Sequence, residues 1–213
     1  MSTQYFAERP ESAHRPGSVH VVLPDVHLEL ATDAGVFSPT RLDPGTRLLL
    51  DTAPPPPAAG NLLDLGCGYG PVACVLAKRS PGATVWAVDV NERALELCAR
   101  NARAAGLENV RCVTPGDASL PPRFAAIWSN PPVRIGKDAL HALLGQWLAR
   151  LAPGRPAASG GSAYLVVGRN LGADSLHRWL AGQGWPVTRL AARSGYRLLQ
   201  ITSQAERTVV TPP

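Results

Sequence analysis

The chain has 213 residues, 45% of them apolar, and carries a formal net charge of +5. That length suits one domain, or one domain with an appendage, and supplies enough apolar material for a full core. No stretch approaches the ~20 apolar residues of a membrane span, and the opening MSTQYFAERPES has no apolar segment like a signal peptide. A soluble, cytoplasmic protein without a membrane partner is expected, with a monomer favoured. Lys78 and Lys137 are the only lysines among the 21 basic residues, so arginine carries the positive excess. Guanidinium groups bind phosphate bidentately, which is compatible with a phosphate-bearing substrate. Cys67, Cys74, Cys98 and Cys112 form no CxxC pair and the five histidines do not cluster beside them, so no metal site is expected.

Residues 1–17 are polar and proline-bearing. Val19 to Leu23 and Val26 to Leu30 then read as two strands joined at Pro24-Asp25, with Val26, Leu28 and Leu30 on one face and His20 and His27 toward solvent. Gly35-Val36-Phe37-Ser38 follows. Asp43 as cap and Pro44 at the first helical position open a short helix through Leu50. Four consecutive prolines make 52–60 a stiff linker. Residues 1–60 thus read as an N-terminal extension of hairpin, helix and linker, 61–203 as the core, and 204–213 as a loose tail.

The core opens on NLLDLGCGYGP, residues 61–71. Leu62, Leu63 and Leu65 form a short apolar run typical of a buried parallel strand. Gly66, Gly68 and Gly70 then give three glycines in five residues, and glycine tolerates positive φ and close approach of a ligand. Val72 to Lys78 continues as an apolar helix. Strand, glycine turn and helix N-terminus together make a ready anion site at the carboxyl end of a strand. Thr84 to Val90 reads as a second strand carrying Asp89, an acid placed to accept from ribose hydroxyls. The spacing GxGxG is one residue short of the dinucleotide fingerprint, and Asp64 precedes the first glycine by two residues. A pyrophosphate would be repelled by that carboxylate, whereas a ligand carrying its own ammonium would be attracted.

Strands and helices then alternate. Asn91 caps a helix through Ala105, closed by Gly106. Val110 to Thr114 is a strand followed by Gly116-Asp117-Ala118, and Phe124 to Ser129 is another. Lys137 to Leu151 is a helix with Trp147 on its core face. Ser162 to Val167, a helix over Asp174 to Ala181, and a hairpin of Val187 to Ala192 with Tyr196 to Thr202 complete the chain. The pattern predicts an α/β fold with a doubly wound, mostly parallel seven-stranded sheet and a reversed edge strand.

Asn130-Pro131-Pro132 lies at the carboxyl end of a strand, where ligands of open sheets bind. Two prolines supply no N–H donors, so the segment offers acceptors: the Asn130 side-chain oxygen and backbone carbonyls. Acceptors suit a planar exocyclic NH2, as in guanine, adenine or a glutamine amide. Hydrogen bonds to both of its hydrogens favour the pyramidal nitrogen that nucleophilic attack requires. On this reading an aspartate at 130 should serve better than an alanine.

The glycine loop resembles the S-adenosylmethionine loop of class I methyltransferases, and SNPP resembles the motif of those acting on amino groups. The stretches GVFS, DLGCGYGP, AVDVNERAL, IWSNPPVRIGK and NLGADSL are similar to the catalytic domain of ribosomal RNA small-subunit guanine-N2 methyltransferases, over roughly residues 19–202. The resemblance implies S-adenosylmethionine as cofactor, without metal, and RNA as partner, either ribosomal RNA or a small-subunit particle. It places Asp64 and the loop Gly66-Cys67-Gly68 with Gly70 at the methionine end, and Asp89, Val90 and Asn91 at the ribose. Asp117 and Ala118 fall at the adenine, with Phe37 near cofactor or target. Asn130 and Pro131, with Pro132 and Val133, would orient the amine, Asn130 bordering the cofactor as well. Arg134 and Lys137 would meet phosphates. The chain departs from that family in lacking a second, degenerate copy of the domain and in Val133, where an aromatic usually follows the prolines. It departs again in RFAAIW, where an acid is common, and in a long loop over 154–161. Two alternatives stay open, methylation of a protein glutamine as in release-factor methyltransferases, and a non-catalytic cofactor- or RNA-binding module.

Overall fold

A computed structural model describes residues 13–132, 135–154 and 160–203. Its elements are an N-terminal hairpin, β1 (Gly17–Val22) and β2 (His27–Thr32), then helix α1 (Pro44–Thr52) and strand β3 (Ala59–Leu65). Helix α2 (Pro71–Arg79), β4 (Gly82–Val88), α3 (Glu92–Ala104), β5 (Val110–Val113) and β6 (Ala126–Ser129) follow. The last are α4 (Lys137–Leu148), β7 (Ser162–Gly168), α5 (Ala173–Gly182), β8 (Val187–Arg193) and β9 (Tyr196–Thr202). The seven-stranded sheet has the order β5-β4-β3-β6-β7-β9-β8. Pairings among the first five are parallel, and β9 runs antiparallel to both its neighbours. The doubly wound, mostly parallel sheet expected from the alternation is therefore present. The reversed strand lies one position in from the edge, because its hairpin partner β8 folds to the outside. Ser194 and Gly195 make that hairpin turn at φ 50° and 79°, the left-handed pair that a tight two-residue turn requires.

The chain winds outward from β3 through β4 to β5, then crosses back to β6 on the other side of β3. Strand order reverses between β3 and β6, so their carboxyl ends diverge and leave a crevice. Side chains alternate across the sheet. Leu62, Val85 and Trp128 face α2, α3 and the N-terminal hairpin, whereas Leu63, Val88, Ile127 and Leu165 face α4 and α5. Trp147 lies in the second cluster, as its helical spacing predicts.

The hairpin is fixed by a buried polar clamp. Asn101 of α3 accepts from the Ala31 N–H at 2.8 Å and donates to the Ala31 carbonyl at 2.9 Å and the Tyr69 carbonyl at 2.8 Å. One amide thus satisfies both backbone groups of a β2 residue and ties them to the glycine loop, meeting the requirement that buried polar groups be paired. Strand β4 stops at Val88 and leaves Asp89 just beyond the sheet. Strand β6 begins at Ala126, two residues later than the sequence suggests, because Phe124 and Ala125 bond outside the ladder with Arg150 and Asn61. Among the described residues no helix is long and apolar enough to cross a membrane.

Candidate active site

The carboxyl ends of β3, β4, β6 and β7 converge on a cleft of about 270 Å³. Gly66 and Gly68, Asp89 to Asn91, Asn130 to Pro132, and Val167 with Gly168 line it in that strand order, with Phe37 and Asp43 from the N-terminal region. Of the five large apolar side chains exposed among the described residues, Phe37, Val90 and Leu171 border this cleft. Exposed apolar groups gathered at a concave site mark a surface built to be covered.

The glycine loop is shaped from its backbone. Gly66, Gly68 and Gly70 have φ of 77°, 55° and 94°, a region that L side chains rarely adopt. The space where a side chain would sit at Gly66 or Gly68 is empty to 4 Å, whereas at Gly70 a Cβ would lie 2.6 Å from Cys98 Sγ. The first two glycines therefore present bare backbone to the cleft, and the third lets α2 pack against α3.

Asp64 and Asp89 hold this loop from two sides. Gly70, at the N-cap of α2, has no side chain to offer; Asp64 from β3 accepts from the Ala73 N–H at 2.9 Å instead. Asp64 lies beside a smaller pocket of about 30 Å³ that shares Phe37, Asp43, Gly66, Gly68 and Asn130 with the main cleft and includes Cys67. Burial pushes its carboxyl up to about 8, against the Ala73 hydrogen bond. Asp89 accepts from the Gly68 N–H at 2.9 Å and the Asn91 N–H at 3.0 Å. Its pKa is also raised by burial, despite those bonds. Each carboxylate oxygen keeps an acceptor site beyond these bonds.

Asn91 has a structural duty first. It caps α3 through Ala94 N–H, and its Nδ2 donates to the Gly35 carbonyl at 2.9 Å. Arg93 reaches the adjacent Ala34 carbonyl at 2.8 Å. Together they bring the GVFS segment, and so Phe37, to the cleft.

Asn130 donates both amide hydrogens inward, to Asp43 Oδ2 at 2.9 Å and Thr46 Oγ1 at 3.1 Å. Those bonds engage its NH2 group and leave its carbonyl oxygen out, on a residue that lines the cleft. The same bonds reverse one expectation. An aspartate at 130 would set a carboxylate against the Asp43 carboxylate, so it should serve poorly.

Other expected residues fall elsewhere. Asp117 and Ala118 are exposed and do not line the cleft; β5 ends at Val113 and Pro115 faces the cavity instead. The Asp117 carboxylate is engaged locally by the Ser119 N–H at 2.8 Å and its hydroxyl at 2.5 Å. Gly70 and Cys67 support the loop without lining the main cleft. Lys137 is exposed at the first turn of α4, outside the lining. Val133 and Arg134 lie outside the described residues, as do 155–159 of the long loop and the tail from 204. The sequence reading missed Asp43 as a cleft residue, together with Tyr196, Leu143 and Leu171. Among the described residues no group of three or more His, Cys, Asp or Glu side chains is arranged to hold a metal ion.

Residues 27–200 match the methyltransferase small domain. The chain belongs to that family. The uncharacterized protein YbxB of Bacillus subtilis strain 168 is 32% identical over 203 residues, covering 94% of this chain and 98% of that one. A ribosomal RNA small subunit methyltransferase C from Hahella chejuensis is 37% identical over 171 residues, covering 80% of this chain and 48% of the other. This methyltransferase small domain therefore spans about half the length of the curated ribosomal RNA methyltransferases it matches. A 16S rRNA N2 methyltransferase of T. thermophilus, solved with AdoMet and guanosine, superposes with a TM-score of 0.71 at 24% identity, covering 91% of this chain and 52% of that one. The likeness shows the Rossmann-like class I methyltransferase fold.

Proposed function

We propose that this protein transfers a methyl group from S-adenosylmethionine to an exocyclic amine, guanine N2 of small-subunit ribosomal RNA. The observation that carries the reading is the Asn130 amide, whose hydrogens are both engaged by Asp43 and Thr46. Its carbonyl oxygen is thereby committed to accepting, and Pro131 and Pro132 beside it add no donors. A site of acceptors holds an NH2 group and rejects a carbonyl or an unprotonated ring nitrogen.

The cleft fits the cofactor. Gly66 and Gly68 leave open backbone where a ligand can approach, Asp89 offers acceptors for ribose hydroxyls, and Phe37, Val90 and Pro115 give apolar cover for a flat ring. Asp64, behind the loop, favours a cationic methionine end once ionised. When bound, S-adenosylmethionine supplies an electrophilic methyl group on a sulfonium. The protein's part is to hold the amine with its lone pair toward that methyl group. Asn130 Oδ1 and the Pro131 carbonyl would each accept one amine hydrogen, so rate enhancement is mostly positioning. No side chain need withdraw a proton first, because the nitrogen sheds it to water after the carbon–nitrogen bond forms.

The ribosomal substrate is supported by the relatives named ribosomal RNA small subunit methyltransferase C, and by an excess of arginine suited to phosphates. Mass spectrometry of ribosomal RNA nucleosides from a strain lacking the gene tests it. Loss of N2-methylguanosine at one small-subunit position is expected. An unchanged nucleoside profile, or a loss of methylglutamine in a protein instead, would overturn the substrate assignment.

A further inference from the structure

We infer that Asp43 is the positioning residue of this reaction, setting which end of the Asn130 amide faces the cleft. The inference rests on the amine-methylation reading above. An asparagine amide can sit either way round, and its neighbours decide. A hydroxyl such as Thr46 Oγ1 accepts or donates, so it would tolerate both orientations. A carboxylate only accepts. With Asp43 Oδ2 at 2.9 Å, the NH2 group is drawn inward, and the carbonyl oxygen must face the cavity. Turned round, two oxygens would meet at that distance inside a desolvated site, at the cost of an uncompensated buried polar group.

Asp43 is itself held firmly. Its Oδ2 also accepts from the Thr46 N–H at 2.9 Å as the cap of α1, and Tyr196 from β9 directs its hydroxyl at Oδ1, 3.4 Å away. Asp43 and Thr46 are both buried. Gly45 keeps this corner tight, since a Cβ there would lie 2.6 Å from the Tyr196 ring and 2.9 Å from Asp43 Oδ2. The N-terminal region and the far hairpin thus meet on one carboxylate whose other partner is the amine-binding amide. A cap requires only an acceptor for one N–H, and serine meets that as well as aspartate. The same Oδ2 also takes the Asn130 amide across 87 positions of the chain, and what aspartate adds to a serine cap is an oxygen that can only accept.

The test uses the full chain with S-adenosylmethionine and in vitro transcribed small-subunit ribosomal RNA, read as single-turnover methyl transfer. Asp43→Ser keeps a cap acceptor but puts beside Asn130 a hydroxyl, which tolerates either orientation of the amide. Its melting temperature should stay within a few degrees of the parent and its cofactor affinity within about twofold. Its transfer rate should fall by about ten- to a hundredfold, the scale of a misplaced polar group. Asn130→Asp should be as slow or slower, because two carboxylates then face each other. The exchanged pair, Asp43→Asn with Asn130→Asp, restores one donor and one acceptor with the polarity reversed, and should recover at least tenfold over Asn130→Asp alone. Hydrogen exchange of the Asn130 side-chain NH2, followed by NMR without any substrate, should be slow in the parent and fast in Asp43→Ser. That readout stands even if the parent methylates no RNA, a result that would remove the amine reading and leave the brace on Asn130 intact. Parental transfer by Asp43→Ser, no recovery in the exchanged pair, or equal amide exchange in the two proteins would each overturn the inference.

Discussion

Asp89 Oδ2 accepts a hydrogen bond from the Gly68 N–H at 2.9 Å, joining the end of β4 to the middle of the glycine loop. One carboxylate thereby shapes the loop and keeps acceptor sites for a ligand on the same rim. Asp89→Ala should weaken S-adenosylmethionine binding by about ten- to a hundredfold, the worth of one or two hydrogen bonds to a charged group. Asp89→Asn retains one acceptor oxygen and should lose less. Calorimetric titration of both variants measures this, and an alanine variant that binds as tightly as the parent would remove Asp89 from the cofactor site.

The burial of Asp64 predicts an unusual pH dependence. Its folded pKa is raised from 3.8 to about 8, so between those values the folded state holds a proton that the unfolded chain has released. Stability from this group is therefore complete below the unfolded value and is lost as pH rises toward the folded one, at up to about 1.4 kcal/mol per pH unit. Without cofactor, the urea midpoint of the parent should fall between pH 5 and 8 relative to that of Asp64→Asn, which cannot titrate. Parallel curves for the two proteins would show that Asp64 is ionised throughout.

The three loop glycines should not respond alike. Gly70→Ala meets Cys98 Sγ at 2.6 Å and its Cα at 3.3 Å with φ at 94°, so overpacking and backbone strain add, costing about 3 kcal/mol. Gly66→Ala meets nothing within 4 Å and costs only the strain of its positive φ, about 1 kcal/mol, while intruding on the cofactor. Denaturant unfolding should rank Gly70→Ala as clearly less stable, and calorimetry should show cofactor binding impaired in Gly66→Ala. The reverse ranking would mean the loop is packed differently.

The parts of the site that were legible in the sequence are those whose signal is local. Glycine spacing, an acid at a strand end and Asn-Pro-Pro after a strand all declare themselves within a few residues. Asp43 was equally visible, but only as the cap of α1, because its second partner lies 87 positions away and chain distance carries no trace of that contact. Tyr196 was hidden for the same reason, as one aromatic in an ordinary hairpin. Asp117 was placed at the adenine by the family resemblance, after a strand read as running to Thr114. The strand ends at Val113, and the turn that follows sends the carboxylate to Ser119. The hairpin's attachment was also unreadable, since Asn101 sits on a helix face that periodicity assigns to apolar residues, and the Ala31 and Tyr69 backbone groups it bonds explain it.

Lys137 stands exposed at the start of α4, two residues beyond the exposed Ile135. If it meets a phosphate beside the target nucleotide, Lys137→Gln should lower RNA affinity several-fold. It should also reduce the slope of log affinity against log salt by about 0.7, the value for one phosphate of a single strand. Cofactor affinity should be unaltered. Filter binding of a small-subunit ribosomal RNA transcript across a salt series reads this directly, and an unchanged slope would return Lys137 to a solvated helix terminus.

The central claim is that Asn130 presents a carbonyl to an exocyclic amine on a nucleobase. Purified parent and Asn130→Ala are incubated with S-adenosylmethionine and small-subunit ribosomal RNA, and the RNA is digested and its nucleosides weighed by mass spectrometry. The parent should produce N2-methylguanosine, and Asn130→Ala should produce it at least about a hundredfold more slowly while binding the cofactor normally. Methylated guanosine forming at the parental rate in Asn130→Ala, or methyl groups appearing only on a ring nitrogen or a hydroxyl, would contradict it.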